Sequence, residues 1–176
     1  MRVLSLIFLI LFSSSTYAAE VSAPCPDPSK LKNLCMMVSS RMPLPATLGT
    51  DQYRYQHAFK QAACVNEAND SPAIAAEKIR QAWAAAEDKL VCNSVQFDVQ
   101  AGNVLKFAVS TKFDDFIDEV LTWKINLNRV DPHDQRTVLD YIQYHIQKNE
   151  GNELQGKFQR YYQLFRKAGA KHKSEL

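Results

Sequence analysis

Residues 126–142 read NLNRVDPHDQRTVLDYI, and this stretch decides how the chain is interpreted. It begins with alternating apolar and polar residues, bends at Asp131-Pro132, and then enters a helical pattern that starts at Thr137. Threonine is a favoured helix N-cap because its hydroxyl accepts a hydrogen bond from an otherwise unpaired backbone N–H. The stretch can therefore be an active-site loop, a metal-binding loop or the connector between two structural repeats.

One pattern of apolar residues occurs twice in the second half of the chain, 34 residues apart. The segments NVLKFA (103–108) and TVLDYI (137–142) both have apolar residues at their second, third, fifth and sixth places. Each is followed by a second helical pattern and then by a short tail, at 125–128 and 168–171 respectively. A period of this length is typical of solenoid proteins that are built from helix pairs.

This arrangement resembles the ankyrin repeat, whose pattern is roughly D-x-x-G-x-T-P-L-H-x-A, followed by a helix that ends in L-L-x-x-G-A-D-x-N. The matching positions in the first copy are Asp98, Asn103, Leu105, Ala108, Val120, Leu121, Asn126 and Asn128. Those in the second copy are Thr137, Leu139 and the segment 165–170. Lys124 and Gln135 stand where the family has glycines, and the T-P-L-H tetrad is incomplete in both copies. The resemblance covers residues 98–172 and implies a solenoid of divergent ankyrin-like helix pairs.

The apolar spacing along the rest of the chain predicts an all-α fold. Predicted helices cover 30–41, 51–68, 72–90, 103–110, 113–121, 137–148 and 153–168. Ser71 is the expected N-cap of the third, Asn103 is expected to start the fourth, and Gly169 is expected to follow the end of the last. Ile74 and Leu154 fall on the predicted buried sides of their helices. A brief extended segment is expected at 95–99 and a turn at Ala101-Gly102. We therefore expect one compact domain, with a helical region at 19–92 and the repeat region at 93–176.

The N-terminus has the features of a secretory signal peptide. Arg2 precedes an apolar run at 4–12, and the small-x-small sequence at 16–18 predicts cleavage after Ala18. The run is too short to span a bilayer as a stable helix, and an uncleaved N-terminal anchor is the alternative. We expect a mature protein, 19–176, that is periplasmic or secreted and not inserted in a membrane.

Four cysteines remain in the predicted mature chain: Cys25, Cys35, Cys64 and Cys92. An even number in an exported chain suggests two disulfide bonds. The pairs nearest in sequence, Cys25–Cys35 and Cys64–Cys92, are favoured over the other connectivities. A redox dithiol or a zinc site is the alternative, but there is no C-x-x-C motif and no histidine at ligand spacing from a cysteine. No metal and no other cofactor is predicted.

Turns and inner helices form the concave binding face of ankyrin-like proteins. By that resemblance the candidate partner-binding residues are His133, Asp134, Gln135, Arg136, Asp140, Tyr141 and Tyr144. The two tyrosines are suited to strong partner contacts only if they are exposed. Trp123 is expected to pack in the core, with partner contact as the alternative.

Two acidic groups suggest other chemistry. The first consists of Asp114, Asp115, Asp118 and Glu119, which can bind a divalent cation or act in acid–base catalysis. These four residues lie opposite an apolar stripe, so a solvated helix face is expected, with docking of a basic partner as a further use. The second consists of Asp131, His133 and Asp134, which form at most half a metal site, and ordinary turn chemistry is favoured.

No catalytic set can be assembled from the sequence. Asp140 and His145 have no identifiable serine partner, and the motif G-x-S-x-G is absent from the chain. The formal net charge is only +2, of which Arg2 contributes one, so nucleic acid is not an expected partner. The basic segment 166–176 is expected to be a frayed end.

We interpret the chain as a binding module without enzymatic activity. The first hypothesis is that it recognises another protein outside the cytoplasm, and by analogy it is similar to the bacterial immunity proteins that block envelope-targeted toxins. The second hypothesis is an envelope enzyme or redox protein that depends on a thiol or a metal. The third is an envelope assembly or structural factor, whose partner is a resident envelope protein.

Overall fold

A computed structural model describes residues 25–32, 34–39, 55–94 and 99–176. Its α-helices are α1 (Leu34–Ser39), α2 (Tyr55–Ala62), α3 (Pro72–Ala86), α4 (Val104–Thr111), α5 (Asp114–Val120), α6 (Val138–Lys148) and α7 (Glu153–Lys167). Short 3-10 helices lie at Pro28–Leu31, Glu87–Lys89, Leu121–Trp123 and Lys173–Glu175. Strands β1 (Val91–Ser94) and β2 (Val99–Asn103) pair antiparallel between α3 and α4. The described chain is mostly helical, as predicted.

Several predictions fall on residues outside this description. They are the signal peptide at 1–18, the outer ends of the helices predicted at 30–41 and 51–68, and most of the extended segment at 95–99.

Three helices begin at the residues that the sequence marks as N-caps. The side chains of Ser71, Asn103 and Thr137 accept hydrogen bonds from the backbone N–H groups three residues later, at the starts of α3, α4 and α6. Thr137 also forms a reciprocal capping box with Asp140. Gly169 ends α7 with φ of +96°, a conformation that glycine adopts without a steric penalty. These local predictions are confirmed.

Other local predictions are wrong. Helix α2 ends at Ala62 rather than at residue 68, because Cys64 adopts a positive φ of 50° and the chain turns. Ala101 and Gly102 lie in β2, where Gly102 pairs with Cys92, rather than in a turn. Ile74 and Leu154 are 49% and 38% exposed, and their neighbours at the starts of α3 and α7 are exposed as well.

A single hydrophobic cluster extends from Leu31 to Ala170 and includes residues from all seven helices. Helix α6 packs along α7, α4 packs against both α5 and α6, and α1 packs against α4. Trp123 is buried as expected, and its ring lies 4.8 Å from the ring of Phe59, which in turn stacks on Trp83. The helices before the β1–β2 hairpin and the two helix pairs after it, α4 with α5 and α6 with α7, therefore share one core.

The disulfide bonds are Cys25–Cys64 and Cys35–Cys92, and the pairing predicted from sequence proximity is wrong. Proximity in sequence measures only the entropy of loop closure, whereas the fold decides which cysteines meet. The Asp27 N–H donates to the Ala62 carbonyl, which brings Cys25 to the end of α2. Helix α1 packs on α4, which also contacts β1, and this places Cys35 next to Cys92 with a Cα–Cα distance of 5.5 Å. The N-terminal region is thus stapled twice.

None of the helices in the described ranges has the length and apolar character needed to cross a membrane. Disulfide bonds of this kind are typical of proteins in oxidising compartments outside the cytoplasm.

Candidate functional site

The first helices of the two pairs, α4 and α6, differ in exposure. All eight residues of α4 are buried, since α1, β2, α5 and α6 surround it. Helix α6 buries one side on α7 and α4 but keeps Asp140, Gln143 and Tyr144 partly exposed. The predicted binding face is therefore accessible only on α6 and on the turn 131–137 before it. We call this surface the turn face.

The turn 131–137 is held in shape by Asp131, which is buried. Its carboxylate accepts hydrogen bonds from the Asn103 N–H at 3.1 Å and from the His133 N–H at 3.0 Å. Its backbone N–H donates to the Arg136 carbonyl, and its carbonyl accepts from the Gln135 N–H. The Asp131 carboxylate is thus used to fix the turn, in agreement with ordinary turn chemistry.

A buried lysine joins this turn to the first helix pair. Lys106 is 1% exposed, and its Nζ lies 3.2 Å from Asp131 Oδ2 and 2.6 Å from Asp134 Oδ1. The same Nζ lies 5.7 Å from the centre of the Tyr141 ring. A buried charge is tolerated only when it is paired and hydrogen-bonded, so these contacts explain how Lys106 can lie in the core. The sequence signal was a lysine at the fourth place of an otherwise apolar segment, and sequence reasoning missed it.

Asp140, at the corresponding place of the second copy, holds the C-terminal segment. Its Oδ1 lies 2.7 Å from His172 Nδ1, and its Oδ2 accepts from the Lys173 N–H at 3.0 Å. His172 Nε2 lies 2.9 Å from the Tyr162 hydroxyl on α7. The expectation that residues 166–176 form a frayed end is therefore wrong, because this segment is bonded to both α6 and α7.

These contacts also shift the titration of Asp140. Burial by itself would raise the pKa of the carboxyl group. The hydrogen bonds from the Thr137 N–H, His172 and the Lys173 N–H outweigh burial, and together they hold the pKa of Asp140 below its ordinary value of 3.8.

Arg136 and Tyr144, both partly exposed, contact each other on the turn face. The Arg136 Cζ atom lies 4.6 Å from the centre of the Tyr144 ring, and the Lys148 Nζ lies 5.7 Å from the same ring. Such cation–π contacts hold the guanidinium in a defined plane. The exposed Gln135 accepts a hydrogen bond from the Lys173 Nζ at 3.0 Å. The turn, the open side of α6 and the C-terminal segment thus form one continuous surface.

The predicted partner-binding residues therefore separate into two groups. The first group is exposed or half-exposed and lies on this surface: His133, Gln135, Arg136 and Tyr144. The second group is occupied inside the protein: Asp134, Asp140 and Tyr141. Tyr141 is only 4% exposed and packs edge-on against His145, so it does not meet the condition of exposure that partner contact requires.

In the acidic cluster on α5, Asp115 and Asp118 are exposed, as predicted, whereas Asp114 and Glu119 are partly buried and bonded to other helices. Asp114 accepts hydrogen bonds from Lys157 at 2.7 Å and from the Tyr161 hydroxyl at 2.6 Å, both on α7. Asp118 pairs with Arg160 at 3.2 Å. Burial would raise the pKa of Asp114, but the hydrogen bonds from Lys157 and Tyr161 lower it overall. These carboxylates connect α5 to α7, which the pattern of a single helix cannot reveal.

Glu119 has a similar internal role toward α2. It accepts hydrogen bonds from the Tyr55 hydroxyl at 2.7 Å and from the Gln56 amide at 2.9 Å. Burial is the main cause that raises the pKa of the Tyr55 hydroxyl, and the neighbouring Glu119 raises it further. The hydroxyl therefore remains protonated and acts as a donor.

Within the described ranges, the structure places no three His, Cys, Asp or Glu side chains so that they can hold a metal ion. All four cysteines are in the two disulfides. Comparison with known protein families, with curated proteins and with solved structures gives no match for this chain.

Proposed function

We propose that this chain is an exported protein-binding module whose partner contacts the turn face. The observation that carries the proposal is the contact of Arg136 with the ring of Tyr144 on α6. Helix α6 keeps one side accessible, whereas α4, the first helix of the other pair, is buried. Arginine and tyrosine are enriched among the residues that contribute most to protein–protein binding. Here both side chains stand beside a turn whose backbone is already fixed.

The rigidity of this surface favours recognition of a partner. Asp131 holds the turn, Lys106 connects it to the core, and Asp140 holds the C-terminal segment beside it. A preorganised surface loses little conformational entropy on binding, so more of the contact energy remains for affinity.

Three observations support an ankyrin-like arrangement of the helix pairs. Lys124 and Gln135 adopt φ values of +54° and +58°, which suits positions where the ankyrin pattern has glycine. Asn103 and Thr137 cap the first helices of the two pairs, 34 residues apart. In each pair the second helix follows the first after a short turn. A solenoid of two divergent repeats accounts for all three.

Export to the periplasm or the cell exterior is supported by the signal-peptide pattern at 1–18 and by the two disulfide bonds. A small exported binding module is similar, by analogy, to immunity proteins that neutralise toxins in the bacterial envelope. The alternative is an envelope assembly or structural factor that binds a resident protein. A thiol-dependent enzyme would need a free cysteine, and the four cysteines are paired.

A capture experiment tests this proposal. The oxidised mature protein is immobilised and exposed to envelope and secreted extracts, in parallel with an Arg136→Glu/Tyr144→Ala variant. The matched control is Arg80→Glu/Ile74→Ala, which changes an exposed arginine and an exposed large side chain on α3. We expect one stoichiometric partner that the control retains and the turn-face variant loses.

The identity of the captured protein then decides its class. A toxic hydrolase supports the immunity role, and a resident envelope protein supports the assembly role. Equal retention by the turn-face variant contradicts the assignment of the binding surface, and retention of nothing by the wild-type protein contradicts the binding-module proposal.

A further inference from the structure

Four carboxylates around the turn face are occupied by partners within the chain. Asp131 and Asp134 accept from Lys106, and Asp140 is held by His172 and the Lys173 N–H. Glu175 pairs with Arg166 at 2.7 Å. The negative charge of this region is therefore neutralised internally and is not presented to a partner.

The positive charges on the same surface are not neutralised in this way. Among the described residues, neither Arg136 nor Lys171 nor Lys173 has a carboxylate within ion-pair distance. Arg136 contacts the ring of Tyr144, and Lys173 bonds to the neutral amide of Gln135. The turn face and the adjoining C-terminal segment thus present cations whose charge remains available.

The guanidinium of Arg136 favours a carboxylate as the anion that binds to this surface. A guanidinium is a planar fork of N–H donors that matches the two oxygens of a carboxylate. The Arg136 Cζ lies over the Tyr144 ring, 4.6 Å from its centre, and this contact restrains the position of the guanidinium. Lys171 and Lys173 add positive charge on the side of the C-terminal segment.

We propose that the partner presents an acidic protein surface, with an Asp or Glu carboxylate seated on Arg136 and further carboxylates near Lys171 and Lys173. This inference rests on the proposed function, since it specifies the chemistry of the same surface. A protein partner is favoured over nucleic acid or an anionic membrane because the chain has a formal net charge of only +2. Binding to those polyanions depends on many simultaneous phosphate contacts.

The test is a titration of the oxidised protein with a decaglutamate peptide at low salt, followed by backbone amide chemical shifts. We expect saturable shifts confined to residues 133–148 and 171–173, and a loss of affinity as salt is raised. Arg136→Glu should weaken the binding at least about tenfold. Arg136→Lys should weaken it by a smaller factor, because lysine keeps the charge but lacks the fork. Arg80→Glu should leave the affinity unchanged.

Three comparison probes complete the design: decaglutamine, a ten-residue thymidine oligonucleotide and phosphatidylglycerol vesicles. No binding of decaglutamine supports the inference. No shifts with decaglutamate, equal affinity in the Arg136→Glu protein, or tighter binding of the oligonucleotide or the vesicles overturns it.

The outcome is separable from that of the capture experiment. A partner that is lost with the turn-face variant but binds independently of salt keeps the binding module and overturns the acidic-partner inference. Decaglutamate binding at Arg136 without any captured protein supports the anion-binding surface and contradicts the broader proposal.

Discussion

The two helix pairs begin with similar segments, NVLKFA and TVLDYI, yet their first helices lie in different environments. Helix α4 is buried over its whole length, whereas α6 keeps one side open. The difference arises outside the segments themselves, since α1 packs on α4 and the Cys35–Cys92 disulfide ties α1 to the hairpin that leads into it. A repeated pattern therefore predicts a repeated helix but does not predict which copy is accessible.

The fourth place of the two segments carries opposite charges with a parallel role. Lys106 bonds to the turn that follows its own helix pair, through Asp131 and Asp134. Asp140 bonds to the segment that follows its pair, through His172 and the Lys173 N–H. In both copies, the polar residue within an apolar run joins the first helix to the chain beyond the second.

The largest expected loss of stability follows from removing the disulfide that holds α1 against α4. A Cys35→Ala/Cys92→Ala variant should lose about 4 kcal/mol of unfolding free energy, because the bond closes a loop of 57 residues. Urea unfolding measures the loss, and amide hydrogen exchange should accelerate in 104–111 more than in 138–148. Equal acceleration in both helices would show that α1 does not protect α4 selectively. The Cys25→Ala/Cys64→Ala variant, which leaves α1 attached to the hairpin, is the matched control.

The next effect concerns the buried ion pair. Lys106→Met keeps most of the side-chain volume but leaves Asp131 without its cation, and we expect a loss of about 3 kcal/mol. Lys60→Met, which removes an exposed ion pair with Glu67, serves as the control and should leave the urea midpoint nearly unchanged. A loss at Lys106 no larger than that at Lys60 would mean that the buried contact does not stabilise the turn.

A smaller difference is expected between the two helix starts. Asn103→Ala removes one N-cap hydrogen bond and should cost about 1 kcal/mol. Asp140→Ala removes half of a capping box together with the bonds to the C-terminal segment, and should cost about 2 kcal/mol. Thermal unfolding of the two variants provides the comparison, and the reverse order would contradict the role of Asp140 in holding the C-terminal segment.

The smallest expected effect is the pH dependence of the contact between Asp140 and the C-terminal segment. The pKa of Asp140 is lowered on folding, so its stabilising contribution is fully present above the ordinary value of 3.8. The contribution is lost as the pH falls through the lower, folded value. The stability difference between wild type and Asp140→Asn should therefore shrink as the pH falls from about 5 to about 3. Urea midpoints measured along this range test the sign, and a difference that grows in acid would contradict it.

The sequence was most informative where structure depends on neighbours within one turn of chain. Ser71, Asn103, Thr137 and Gly169 were recognised as helix starts and an end because capping involves residues only a few places apart. The roles of Lys106, Tyr141 and the carboxylates on α5 were missed or misjudged. Their environments are made by residues that are distant in sequence, such as Asp131, Lys157 and Tyr161 on other elements.

The sequence predicted where the candidate surface lies but not which of its residues are accessible. Residues 131–137 and the open side of α6 were expected to form a surface, and Arg136 and Tyr144 do lie together on it. Tyr141, only three residues before Tyr144, points into the core, and Asp134 and Asp140 are bonded within the protein. Helical spacing alone cannot separate these residues, because the burial of each depends on what the other helices cover.

The sequence by itself determined the helical class and the helix starts at Asn103 and Thr137, since these follow from local hydrogen bonding and apolar spacing. Only the tertiary structure decided the disulfide pairing, the burial of α4 and the exposure of Arg136 beside Tyr144. These features depend on how α1, the hairpin and the C-terminal segment pack against residues far away in the chain.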